Sequence, residues 1–304
     1  MSFLSQFARG SRQSQRQPAP GEIVPQATKS RRSRLRAKEA TPHKPSPGGE
    51  SVQSNPKWDA HLPADAGAPW STIWPIAAIC FAACLALGFV QFAGSNDTYL
   101  QLFPPSGHAP DPYWPLRAKA WWVGSILIGF LAMPAALMAL LPGNRLRDCH
   151  LSFRGFIQHF WIYAGLYAAV LPIIWLVSLT PTFTMYYPMY AEAGRSWMDL
   201  LMWESLYIAQ FVALEFFFRG FLVGGLGRHI GILSVPISVI PYMMIHFVKP
   251  VPEVAGSVVA GFVLGWLAWK TKSIWGGVCV HCAVAATMDL LALSHKGQLP
   301  WLHG

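Results

Sequence analysis

The residues in this chain that could do chemistry begin with an acid and a base four positions apart in an apolar run, Leu214-Glu215-Phe216-Phe217-Phe218-Arg219-Gly220-Phe221-Leu222. An ionisable side chain at mid-membrane costs roughly 2.5–3.5 kcal/mol even on the lenient insertion scale, so a pair implies a buried partner set or a hydrated site. After Asp199 the chain has four acidic residues, Glu204, Glu215, Glu253 and Asp289, all in or at the edge of apolar segments. Two deeply placed histidines, His246 and His281, share that region. Imidazoles with a carboxylate suit two chemistries. Neutral imidazoles and a carboxylate bind zinc and leave a position for water. Alternatively, a buried glutamate is the general base that activates water, and histidines stabilise the oxyanion. The sequence has no HExxH, whose two histidines on one helical turn would make zinc the default. The metal-free version is therefore the expected one, with Glu215, His246 and His281 as the ligands if a metal is present. Cys279-Val280-His281-Cys282 has the outline of a metal clip, but thiols on a membrane helix more often serve as small packing residues. Each residue also has a structural reading: an i,i+4 ion pair for Glu215 and Arg219, core histidines, and a capping or paired role for Asp289.

These residues need elements to hold them. The chain has 304 residues, of which 53% are hydrophobic and 12% charged, with 14 Trp, a composition outside the soluble range. Apolar blocks near the length that crosses the hydrocarbon run from Trp70 to Ala93, Ala118 to Leu141, Phe156 to Leu179, Trp197 to Gly227, Gly231 to Val248, Glu253 to Trp269 and Ser273 to Leu293. They predict an all-α polytopic bundle of about seven transmembrane helices. Its parts are an N-terminal arm over residues 1–69, three transmembrane helices within 70–196, a helical core over 197–293 and a short tail over 294–304. The fourth block is overlong, so it must tilt or project.

The arm is rich in Ser, Pro, Gln, Arg and Lys and poor in large apolar residues, which predicts disorder. It holds 11 of the 23 Lys and Arg residues, so the formal charge of +9 is mostly a tail property and no nucleic-acid partner is expected. The cluster from Lys29 to Lys38 favours anionic lipid headgroups at about 1 kcal/mol per charge. A solvated tail that fixes orientation and an organelle transit peptide are the other readings. Arg145, Arg147, Arg154, Arg228, Lys270 and Lys272 fall on the arm's side of the count, which predicts the N-terminus inside and the C-terminus outside. A bacterial plasma membrane is the expected location, and a membrane-associated peptide or protein, beside lipid, the expected partner.

Depth follows from counting at 1.5 Å per helical residue. The midpoint of Glu215 and His246 falls on the Arg228 to Gly231 turn, so both sit at one level, roughly 22 Å from it. From the Lys270 to Ser273 turn, His281 lies roughly 14 Å in and Asp289 roughly 26 Å in, bracketing that level. Glu204 is roughly 16 Å further out, which predicts an interfacial or structural role. The expectation is a single layer holding Glu215, Arg219, His246, His281 and Asp289.

At these residues the chain resembles the CPBP family of intramembrane proteases, the Abi or CAAX-protease-like family that includes the type II CAAX prenyl endopeptidases. The family's Glu-Glu-x-x-x-Arg, Phe-x-x-x-His and His-x-x-x-Asn helices appear here as Leu214-Glu215-x-x-x-Arg219, Tyr242-x-x-x-His246 and His281-x-x-x-Ala285, continued by Gly220, Phe221 and Leu222. The resemblance covers about Trp197 to Leu293. It implies a membrane-embedded endopeptidase, with a glutamate and two histidines around the hydrolytic water, and it carries zinc as an alternative cofactor. In that frame Glu215 is the base held by Arg219, and His246 and His281 position water or oxyanion. Leu214 stands where the usual base is expected and Ala285 where the asparagine is expected, and neither can do that residue's work. Glu215 must then turn to the cavity, with Asp289, or Glu253 beyond Lys249, supplying the missing polar contact.

Overall fold

The computed structural model describes residues 70–105 and 111–302, all helices and connections apart from one isolated bridge between Leu151 and Ser273. The arm, its basic cluster and its predicted disorder lie outside the described residues. The helices of the first half are α1 (Trp70–Ala93), α2 (Asn96–Leu102), α3 (Trp114–Ile126), which continues through the π-helical turn Leu127–Ala132 into α4 (Met133–Leu140), α5 (Phe153–Gln158), α6 (Phe160–Ser178) and α7 (Pro181–Tyr186). The second half holds α8 (Trp197–Glu215), a π-helix over Phe216–Leu226, α9 (Gly227–Ile230), α10 (Ser234–Met244), α11 (Val251–Thr271) and α12 (Trp275–His295).

Among the described residues six runs are long and apolar enough to cross a membrane, and the protein is a membrane protein by that measure. The fourth, Trp197–Met244, contains two of the seven predicted segments, because the chain folds back at Gly231 while staying helical on either side. Gly231 has φ +62, a conformation open to glycine at little cost. This run is also the centre of the molecule: 78% of its most apolar window is buried, against 11% for Phe160–Ser178. The peripheral helices turn Phe81, Phe92, Trp161, Leu176 and Val259 outward, as a lipid-facing surface requires.

Local chemistry sets the ends of the central run. Ser196 caps α8, its hydroxyl accepting from the Asp199 amide at 3.1 Å. Asp199 takes Arg195 at 2.6 Å and the Tyr190 hydroxyl at 2.8 Å, which fixes the outer end of the helix. All eleven residues of the π-helix are buried. Phe217 stacks on Phe130 at 4.5 Å, and Gly220 faces the Cys149 carbonyl. At the other end of the hairpin α10 stops at Met244, and Pro250 stands at the N-cap of the next long helix.

The segment 144–152 is the element that the sequence reading did not anticipate. It folds back beneath the bundle, where the His150 carbonyl accepts from the Ile274 amide at 2.9 Å and the Leu151 carbonyl from the Trp275 indole at 3.2 Å. The turn before α12 therefore rests on residues 148–151 and does not lie level with the Gly231 turn. Helix α12 starts deeper than the count supposed.

Candidate active site

Glu215 closes α8 with none of its surface exposed. Its Oε1 lies 3.1 Å from Arg219 Nη1 and 3.0 Å from His281 Nδ1. Neither oxygen closes a well-aligned hydrogen bond among the described residues. Gly277 on α12 faces the carboxylate so closely that a Cβ there would occupy its place. Arg219, one turn on and with its side chain 2% exposed, lays its guanidinium 4.1 Å from the centre of the Tyr242 ring. His281 is the more open member, its side chain 16% exposed. Its Nδ1 also lies 3.2 Å from the Gly277 carbonyl, its Nε2 is 2.9 Å from the Tyr242 hydroxyl, and Phe211 stacks on the ring at 5.3 Å and 17°.

Arg219 and Tyr242 share the midpoint that pairs Glu215 with His246, and they touch. His246 lies just past the end of α10, on a turn, with Nδ1 2.7 Å from the Tyr242 carbonyl and its ring 4.7 Å from the Tyr242 ring. It reaches the cluster through Tyr242.

Three pairs fix the antiparallel register of α8 against α12: Glu215 with Gly277, Phe211 with His281 and Trp203 with Asp289. Asp289 is thus twelve residues, about 18 Å, outward of the Glu215 level. It is fully buried there and accepts from the Trp203 indole at 2.6 Å, leaving Oδ1 without a partner among the described residues. The expected single layer accordingly contains Glu215, Arg219, His281 and, through Tyr242, His246, while Asp289 belongs to an outer polar group. The cause is the segment 148–151 under the α12 turn, which offsets the two turns from which depth was counted. Glu204 sits in that outer group within electrostatic reach of Asp289. Glu253 is held by the Tyr187 hydroxyl at 2.6 Å and Lys249 at 3.3 Å.

The family model that matches, over residues 195–287, is described as type II CAAX prenyl endopeptidase Rce1-like. Over that segment the chain is similar to this family. Searches of curated proteins and of solved structures return no match. The match covers the hairpin and most of α12, the elements that assemble the cluster around Glu215, and stops short of Asp289.

The alternative zinc set does not fit the arrangement of these residues. Both ring nitrogens of His281 face protein partners, His246 turns Nδ1 to its own backbone, and Glu215 faces Arg219 and His281. Among the described residues no three of His, Cys, Asp and Glu converge as a metal group, the Cys279 to Cys282 stretch included. The residues that sequence reasoning missed are Tyr242, Gly277 and Phe211. The signal for Tyr242 was a hydroxyl where the family pattern has phenylalanine. For Gly277 it was the glycine pair four residues before His281.

Proposed function

We propose that this chain, through the segment similar to the Rce1-like family, is a membrane-embedded endopeptidase in which Glu215 and His281 act as one unit on the hydrolytic water. The observation that carries this reading is the 3.0 Å approach of Glu215 Oε1 to His281 Nδ1, with the imidazole on the more exposed side. A carboxylate on Nδ1 keeps the proton there and leaves Nε2 as the basic nitrogen. Glu215, sealed and without Leu214 as a second acid, serves best by orienting and charging His281. Arg219 holds the Glu215 carboxylate in place, and His246 flanks the Tyr242 ring where a developing oxyanion would need a donor. Asp289 has no direct part. The substrate is a membrane-associated peptide or protein, and a prenylated C-terminus is the class carried by the family description. The setting proposed is a bacterial plasma membrane with the arm cytoplasmic and its basic cluster on anionic headgroups. In the purified full chain, Glu215→Gln and His281→Ala should each abolish cleavage of a peptide library, and the double variant should lose no more than either alone. Additive losses would sink the shared role.

A second reading has its own observation. Leu214 and Ala285 remove two polar positions of the family pattern, and Glu215 has no exposed surface. A non-catalytic scaffold or immunity-like binder with this fold would show no Glu215-dependent product from any peptide.

A further inference from the structure

We propose that Tyr242 is a further catalytic residue that also orients His281: its hydroxyl donates to Nε2 and completes a carboxylate–imidazole–hydroxyl chain, Glu215–His281–Tyr242, across three helical elements. This rests on the peptidase reading for its catalytic consequence, but not for the hydrogen bond itself.

The direction of the chain follows from its neighbours. Nδ1 of His281 lies 3.0 Å from a carboxylate oxygen and 3.2 Å from the Gly277 carbonyl, both acceptors, so Nδ1 carries the proton. Nε2 is then the acceptor, and the hydroxyl 2.9 Å away must be the donor. The phenol is held for that role. Arg219 covers one face of its ring at 4.1 Å, and Phe218 meets the ring at 5.1 Å and 74°. The His246 ring lies 4.7 Å away, and the whole residue is 2% exposed. Arg219 touches Glu215 and Tyr242 alike, so one cation favours negative charge at both ends of the chain.

An sp² nitrogen has one lone pair, and here Tyr242 occupies it. Water therefore reaches the base through the hydroxyl. On attack an O–H bond of water breaks, its proton passes to Tyr242 Oη, and the phenolic proton passes to Nε2. The water oxygen forms a bond to the peptide carbonyl carbon as the carbonyl π electrons move to oxygen. Collapse reverses the transfer: imidazolium returns a proton to Oη, Oη gives one to the departing amine nitrogen, and the C–N bond breaks. The hydroxyl thus stands in, at a different position, for polar groups that Leu214 and Ala285 cannot supply.

The test is Tyr242→Phe in the full chain in detergent or bilayers, which keeps the ring and its packing. Nitrogen-15 NMR of the histidine side chains should show His281 with its proton on Nδ1 and a hydrogen-bonded Nε2 in the parent protein. In the variant the Nε2 resonance should move to the position of a free imidazole nitrogen with the Nδ1 proton retained. An Nε2 resonance identical in the two proteins overturns the proposal. In parallel, kcat for a cleaved peptide should fall by about 10²-fold with KM within about threefold. An unchanged kcat overturns the relay. If the parent protein cleaves nothing, the peptidase reading fails alone, and the Nε2 resonance still decides whether Tyr242 positions His281.

Discussion

Glu215 is at once a charge and a space-filling group, because its carboxylate sits where a side chain on residue 277 would go. The two roles separate under substitution. Glu215→Gln preserves volume and should leave the protein inserted and folded while cleavage falls at least about 10²-fold, checked by turnover beside thermal unfolding in detergent. Gly277→Ala keeps the charge but overpacks the site. It should lower stability by about 1–3 kcal/mol and displace the carboxylate from His281, so both unfolding and turnover suffer. Asp289→Ala removes the acceptor of a buried indole and should cost about 1–3 kcal/mol of stability, with turnover at saturating substrate within about threefold of the parent. A loss of turnover as large as that of Glu215→Gln would return Asp289 to the site. The grouping of Glu215, Arg219 and His281 was legible from the expense of charge in an apolar run. Tyr242 was legible only as a departure from the family's phenylalanine, since a tyrosine in a membrane helix reads as packing until its hydroxyl is seen to have an imidazole opposite.

Among the elements, the segment 144–152 matters most for what lies above it, because it sets the depth at which α12 begins. His150 is the group to watch there. It is buried, outside the membrane-spanning runs, and its ring faces Trp269 at 6.2 Å. Burial first, and the neighbouring Lys272 charge second, push its imidazole down from 6.5 to about 4. Between those values the unfolded segment binds a proton that the folded one refuses. The folded form therefore has its full advantage above pH 6.5 and loses it as pH falls toward 4, by at most about 3 kcal/mol. The protection factors of residues 144–152 against hydrogen exchange, taken relative to the intrinsic rate at each pH, should fall over that interval, and His150→Gln should flatten the response. The same segment explains why one depth count held and the other did not. The α8–α10 hairpin turns within its own chain, so a midpoint suffices. The α11–α12 turn rests on a stretch more than a hundred residues away, which no local count registers.

For the molecule as a whole, helix content and membrane character were legible because span length and apolar composition are properties of each segment alone. The number of crossings was less so. Helix α10 has 11 residues, too few to cross by itself, and it joins the preceding run through a turn that stays helical. Orientation is a prediction of loop charge. Single cysteines placed by Arg147→Cys and Lys272→Cys, in a chain with its native cysteines replaced, should react with an impermeant thiol reagent only from the cytoplasmic face. Arg195→Cys should react only from the opposite face. The reverse pattern would invert the whole bundle.

The matched spacing of Trp203, Phe211 and Glu215 on α8 with Asp289, His281 and Gly277 on α12 has a consequence for how this fold tolerates change in length. The two helices are meshed like a pair of racks with teeth four residues apart. One residue inserted between Trp203 and Glu215 turns everything beyond it by about 100°, so the inner and outer contacts can no longer be in mesh together. A compensating insertion between Gly277 and Asp289 restores both. Insertions on either helix alone should be lost from functional variants, while the paired insertion survives, and the polar outer contact would then be the gauge that keeps the inner one in step.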